Sequence, residues 1–210
     1  MKEEHWDVVV TGAGAAGVAA AVAAARGGAR TLLVDAGTMP GGELISGIAM
    51  LGAQDALGRW VVGGVARELL AQVDALGGYI GPVFDYRALR LVCFDSELMK
   101  LALAPWLADC GVTLRLHSFV HGADCAPDGT VRALRLYAKG GEHRVHAKAF
   151  VDASGDADVT RLAGGTVLSV GAGESLQPPS LVFRVVGVDT AALLRMVVQE
   201  PGHFGLGELP

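Results

Sequence analysis

No dense run of lysine or arginine occurs in the 210 residues, and acidic side chains outnumber basic ones by 22 to 17. That balance predicts a chain with no nucleic-acid partner. Cysteine is scarce: Cys93, Cys110 and Cys125 lie far apart, with no CxxC pair. Three scattered thiols exclude a disulfide framework and a redox dithiol, and they suit a reducing, cytoplasmic setting. The histidines fall on no metal-ligand spacing, since His143 and His146 sit in a segment that reads as strand or turn rather than on a helix face. Met1 to Asp7 lacks the pattern of a signal peptide. No nucleophile stands in a recognisable base-and-acid setting, so no catalytic residue is assigned. Val8 to Ala25 carries no charge and reaches the length of a membrane-span candidate. It is mostly Ala and Gly, however, and Thr11-Gly12-Ala13-Gly14 interrupts it. A strand, a glycine turn and a helix are expected there, not a membrane span.

What the chain has in excess is glycine, 30 residues of the 210, roughly double the usual ~7% share. The glycines follow no triplet repeat and punctuate apolar runs, as turns in a packed chain do. Trp6 to Val10 reads as a buried strand, Ala15 to Arg26 as a helix of small residues ended by Gly27-Gly28, and Thr31 to Val34 as a second buried strand. Strand, helix and strand within about thirty residues make a parallel βαβ unit. Val62 to Leu76 has helical spacing. A further helix opens at Asp95 or Ser96 and runs to Asp109, with Pro105 expected to kink or split it. Val112 to Val120, Val131 to Tyr137 and Arg144 to Lys148 alternate as strands around the turns at Pro127-Asp128-Gly129 and Gly140-Gly141, a small antiparallel meander. Ala149 to Asp152 is a buried strand, and Leu181 to Val188 is expected to be the last.

Gly12-Ala-Gly14-Ala-Ala-Gly17 follows a buried strand and opens a helix, and Asp35 ends the next strand. In a dinucleotide site Gly12 makes the tight turn, Gly14 lets backbone approach a pyrophosphate, and Gly17 lets helix pack on strand. The helix N-terminus then faces the phosphates, and Asp35 accepts from the adenosine ribose hydroxyls.

The longer spacing Gly17, Ala21, Ala24, Gly28, Thr31, Asp35 resembles the dinucleotide-binding motif of glutathione-reductase-like FAD proteins. Asp152-Ala-Ser-Gly155-Asp156-Ala-Asp158-Val159 resembles the D-A-T-G-D-x-D-V motif of one group of FAD-dependent oxidoreductases, with Ser154 in place of Thr. Gln177 to Asp189 resembles that group's entry into a substrate domain. The resemblance implies an α/β fold, a Rossmann-like FAD-binding domain with a mostly parallel sheet and a β-meander insertion. Its expected extents are 1–48 and 110–170, with a mainly helical insertion at 49–109 and the start of a substrate domain, looking C-terminally short, at 171–210. It further implies FAD as cofactor, with Gly12, Gly14 and Gly17 at the pyrophosphate and Asp35 at the ribose. Gly41 and Gly42 would run beside the dinucleotide, Val120 would pair its backbone with the adenine edge, and Gly155 and Asp156 would lie on the adenosine and pyrophosphate side. For Asp156 and Asp158, capping of the following helix stands equally open. The implied activity is hydride transfer between a small-molecule substrate and the flavin. A NAD(P)-binding protein, or a non-catalytic FAD-binding fragment needing a partner chain, remains an alternative, as does a homo-oligomer.

Overall fold

The computed structural model describes residues 1–84, 90–168 and 178–204. The chain divides into two units, Met1–Glu174 and Ser175–Pro210. The first is built on a six-stranded sheet. Strand β1 (Lys2–Thr11) pairs in parallel with β2 (Thr31–Val34) on one side and β9 (Gly141–Asp152) on the other, and β2 pairs in parallel with β6 (Val112–Arg115). Beyond β9 the sheet turns antiparallel through β8 (Val131–Ala138) to β7 (Phe119–Cys125), the free edge. The α/β class, with a mostly parallel sheet and a meander, is as expected from the sequence.

The alternation of β1 and β2 divides the core in two. Val10 and Leu33 face α1 (Ala15–Arg26) and α3 (Ser96–Asp109), packing with Val18, Val22, Leu103 and Leu107. Val9, Leu32 and Val34 face the other way and bury Leu134, Leu136 and Val145 of the meander. Strands β8 and β9 therefore fold across the face of the parallel strands they extend. Closing that curl, only Leu116–Ser118 separates β6 from β7, the two edges of the sheet in hydrogen-bonding order.

The single strand expected over Val112–Val120 is thus two strands, β6 and β7. His117, with a left-handed φ of 51°, makes the turn between them. The expected third meander strand and the strand after it are one, since β9 leaves β8 after His146 and continues beside β1 to Asp152. Between 49 and 109, α2 (Val65–Ala75) and α3 are joined by a three-stranded antiparallel sheet. It consists of β3 (Met50–Leu51), β5 (Arg90–Phe94) and β4 (Tyr79–Phe84), so the segment is less helical than expected. Asp95 caps α3, accepting from the Glu97 and Leu98 amides. Pro105 does not split that helix: it lies on the exposed face, and the residue four earlier, Leu101, is 63% exposed, so water can reach the carbonyl that proline leaves unbonded.

In the second unit α5 (Thr190–Gln199) is capped by Asp189, whose carboxylate accepts from the Ala192 amide. Leu181 to Val188 is not a strand, and its apolar side chains are exposed. Gln177, at the head of that motif, and the tail 205–210 lie outside the described residues. Among the described residues no helix is long and apolar enough to cross a membrane.

Candidate functional site

Each glycine of the 12–17 turn has a different reason to be glycine. Gly12 has φ 96°, and a Cβ there would lie 2.2 Å from the Ala153 carbonyl oxygen. A Cβ on Gly17 would lie 1.7 Å from the Gly12 carbonyl oxygen. Both are required by the protein's own packing of helix and strand. Gly14 is not: its φ of −72° suits any residue, and a Cβ there would meet nothing within 4 Å. It is also the N-cap of α1, which no side chain caps. A helix N-terminus leaves amide donors without intrahelical partners, and here they open beside a position that protein packing alone would let any residue occupy.

Asp35 follows β2. Its Oδ2 accepts from the Ala13 amide at 2.5 Å and its Oδ1 from the Gly37 amide at 2.6 Å. The carboxylate thus ties the glycine turn to the second strand, a task its sequence position did not reveal. Each oxygen keeps acceptor capacity beyond its one amide, and Asp35 lines two clefts. The first, about 190 Å³, is formed by Thr11, Gly12, Val34, Asp35, Ser118, Val120, Ser154 and Asp158 with Ala36 and Phe119. The second, about 420 Å³, includes Gly37, Thr38, Met39, Gly42 and Lys100. Residues from β1, β2, β7 and the turn after β9 so converge at the carboxyl ends of the parallel strands, where ligands of open α/β sheets bind.

The structure brings Gly12, Asp35 and Val120 into one cleft, with Val120 on the free edge strand just before a register shift. Gly42 packs against Gly14, where a Cβ would lie 3.0 Å from the Gly14 Cα. Gly41 instead is buried, and its missing Cβ makes room for Ile45 and Leu103. Gly155 and Asp156 are exposed, and their neighbours Ser154 and Asp158 are the ones that line the cleft. That turn is organised by Asp152. Its Oδ1 accepts from the Ser154 amide and hydroxyl, its Oδ2 from the Thr160 amide and hydroxyl. Burial raises the Asp152 carboxyl, but the bonds from Ser154 and Thr160 outweigh it and hold the group below its ordinary range. The Ser154 hydroxyl in turn accepts from the Asp158 amide at the start of α4 (Asp158–Leu162). The N-cap residue, Ala157, has no side chain to cap this helix, and its first-turn amides are met by Ser154 and Asp152 rather than by Asp156 or Asp158. Thr11, Ser118 and Lys100 had no sequence signal of their own, and Ser154 was marked only as a motif position; the fold alone joins their segments.

At the opposite end of β1 the fold gathers cations that are scattered along the chain. Arg30, Arg132 and Lys148 line a groove with His5, Trp6, Asp7 and His146, and Lys148 Nζ pairs with Asp7 Oδ1 at 2.6 Å. The Arg30 guanidinium lies 4.5 Å from the Trp6 ring centroid.

The family profile described as FAD dependent oxidoreductase matches residues 7–204. The tRNA uridine 5-carboxymethylaminomethyl modification enzyme MnmG of Christiangramia forsetii is 39% identical over 97 residues, 46% of this chain and 14% of that enzyme. The enzyme of the same name from Flavobacterium johnsoniae is 44% identical over 94 residues, 45% of this chain and 13% of the relative. The chain thus matches only about one-seventh of these relatives' length. Among solved structures, a geranylgeranyl bacteriochlorophyll reductase-like protein of Thermoplasma acidophilum aligns with a TM-score of 0.53 at 20% identity, over 80% of this chain and 44% of that one. At that identity the likeness shows the fold.

The tRNA-modifying relatives overturn the expectation that nucleic acid is excluded. That expectation rested on the lack of a basic run in the sequence, a test blind to cations that are far apart in the chain and meet only in the fold, as Arg30, Arg132 and Lys148 do beside Asp7. The matched profile spans nearly the whole chain, from the strand before the glycine turn to the second unit, and the chain belongs to the FAD dependent oxidoreductase family.

Proposed function

We propose that the smaller cleft and the open N-terminus of α1 hold the adenosine and pyrophosphate of FAD, in a flavin oxidoreductase of the glutathione-reductase-like superfamily. The observation that carries this reading is Gly14, a glycine that neither its φ nor its packing requires, placed at a helix terminus that no side chain caps. The amides there donate to the pyrophosphate. Asp35 accepts from the ribose hydroxyls with the lone pairs its backbone bonds leave free, and the Val120 backbone, on an edge strand, meets the adenine edge. Asp35 and Asp158 on the same cleft disfavour a ribose phosphate, which sets FAD apart from a phosphorylated nicotinamide cofactor. Gly42 and Lys100, on the larger cleft, lie along the course toward the pyrophosphate. Gly155 and Asp156 flank the adenosine side through the turn that Asp152 holds. Residues 1–48 and 110–170 supply the cofactor domain in this reading, and 49–109 an insertion between its halves.

FAD, when bound, supplies a ring that exchanges a hydride with substrate; the protein supplies binding, orientation and electrostatics. The three free thiols, Cys93, Cys110 and Cys125, fit a cytoplasmic setting. The names of the tRNA-modifying relatives put RNA into the substrate screen. The test is the absorption spectrum of the purified protein and identification of the cofactor released on denaturation. Flavin bands and released FAD are expected; a colourless protein that binds NAD would overturn the assignment. Flavin reduction with and without added tRNA then tests the substrate class.

A further inference from the structure

We infer that the hydroxyl of Thr11 is a cofactor-binding group of the adenosine cleft, a contact no part of the glycine motif specifies. The inference rests on the FAD reading above and adds to it.

Thr11 ends β1, directly before Gly12. By strand alternation it shares a face with Val9, which is buried against Leu134, Leu136 and Val145 of the meander. Three valines precede it, Val8 to Val10, and a fourth would fill the same volume. Threonine at this place exchanges one methyl for a hydroxyl and buries it, for Thr11 is only 7% exposed. A buried hydroxyl needs a partner, or its burial is destabilising.

Thr11 Oγ1 has no protein partner among the described residues. Trp6 Nε1, Gln54 Oε1 and Arg135 Nε are likewise buried without a hydrogen-bond partner, but none of them belongs to this cleft, and the other fully buried polar residues differ. Thr31 donates to the Ala29 carbonyl at 3.0 Å, Ser118 donates to the Leu116 carbonyl at 3.1 Å, and Ser96 also has a partner. Within the cleft the contrast repeats. The Ser118 hydroxyl is committed to Leu116, and the Ser154 hydroxyl to Asp152 and the Asp158 amide. Thr11 is therefore a residue of the cleft wall whose hydroxyl, buried just behind the surface, has both donor and acceptor uncommitted. Its backbone gives no reason for the residue either, since the Thr11 carbonyl already accepts from the Ala153 amide at 2.8 Å, as any residue's would. The partner that fits is a polar edge of the adenosine moiety, which carries both donors and acceptors.

The experiment compares wild type, Thr11→Val and Thr11→Ser by titration with FAD, ADP and FMN and by thermal denaturation without ligand. Thr11→Val keeps shape and removes the hydroxyl. It should bind FAD and ADP about five- to tenfold more weakly, the worth of one neutral hydrogen bond. Its ligand-free melting temperature should equal or exceed that of wild type, because the uncommitted hydroxyl is gone. Thr11→Ser should keep wild-type affinity within about twofold, as expected where the hydroxyl alone matters. FMN, which lacks the adenosine, should show no difference between wild type and Thr11→Val. If Thr11→Val fails to fold, Thr11→Ala carries the same comparison. Equal FAD and ADP affinities in wild type and Thr11→Val would overturn the inference and leave the FAD reading intact. A wild type that binds neither FAD nor ADP would overturn that reading, and the inference with it.

Discussion

At the start of β1 charged side chains are matched to one another, whereas at its end polar groups are left without protein partners. Glu4 receives both Arg115 guanidinium nitrogens, at 2.9 and 2.7 Å, and lies 2.8 Å from His143 Nδ1. Glu3 meets His146, and the His146 ring stacks on His5 with centroids 4.8 Å apart. These pairs tie the curled half of the sheet to β6 and β1, and Arg115 holds the Glu4 carboxyl down at about 2, against the opposing effect of burial. Seven residues after Glu4, Thr11 lacks a partner; beyond it Gly14 heads an uncapped helix, and Asp35 lines the cleft. Where polar groups satisfy one another, their task is to hold the fold. Where they are preorganised and left open, something from outside completes them.

Substitutions can break that division at either end. The largest effect is expected at Gly17. A valine there would drive its Cβ into the Gly12 carbonyl, and loss of more than about 3 kcal/mol of stability should follow. Thermal denaturation checks it, and a melting temperature near wild type would mean that helix and strand are not so closely packed. Asp35→Ala should act on both sides of the division. Two backbone amides lose their acceptor, costing about 1–3 kcal/mol of stability, and FAD affinity falls about ten- to hundredfold. The sequence position alone predicted only the second loss. An unchanged affinity would place the ribose elsewhere.

Glu4→Gln should show the smallest effect and the reverse selectivity, with FAD affinity unchanged. Because the folded Glu4 pKa lies below its unfolded value of 4.5, its ion pair stabilises fully above that pH. The contribution disappears as pH falls toward about 2. Glu4 is partly solvated, so about 1 kcal/mol is expected at neutral pH. Acid denaturation should lose that component between pH 4.5 and about 2 in the variant. Identical acid profiles would show that the pair contributes nothing.

The order β1, α1, β2 and the glycine turn was legible in sequence because each residue there answers a local demand of a tight turn, a close packing or a strand end. The split of Val112–Val120 was not, since the turn falls on His117, a residue whose positive φ no sequence signal announces. Pro105 misled because its cost depends on whether water reaches one carbonyl. Leu181 to Val188 misled because an apolar run becomes a strand only where a neighbour pairs with it. The cleft was half legible. Gly12, Asp35 and Val120, with the motif positions Ser154 and Asp158, came from motif and resemblance, while Thr11 and Ser118 join them through the curl of the sheet, which is a property of the whole unit.

The most direct test of the account is a titration of FAD and ADP into the wild type and Gly14→Val, alongside ligand-free melting curves of both. The structure gives a side chain at 14 open space within the protein, so stability should fall only by about 1 kcal/mol, the cost of valine at a helix N-cap. Affinity for both ligands should fall at least about hundredfold, roughly 2.7 kcal/mol, because the valine occupies the approach to the pyrophosphate. A Gly14→Val protein that retains FAD with wild-type affinity would contradict the placement of the cofactor at this helix terminus.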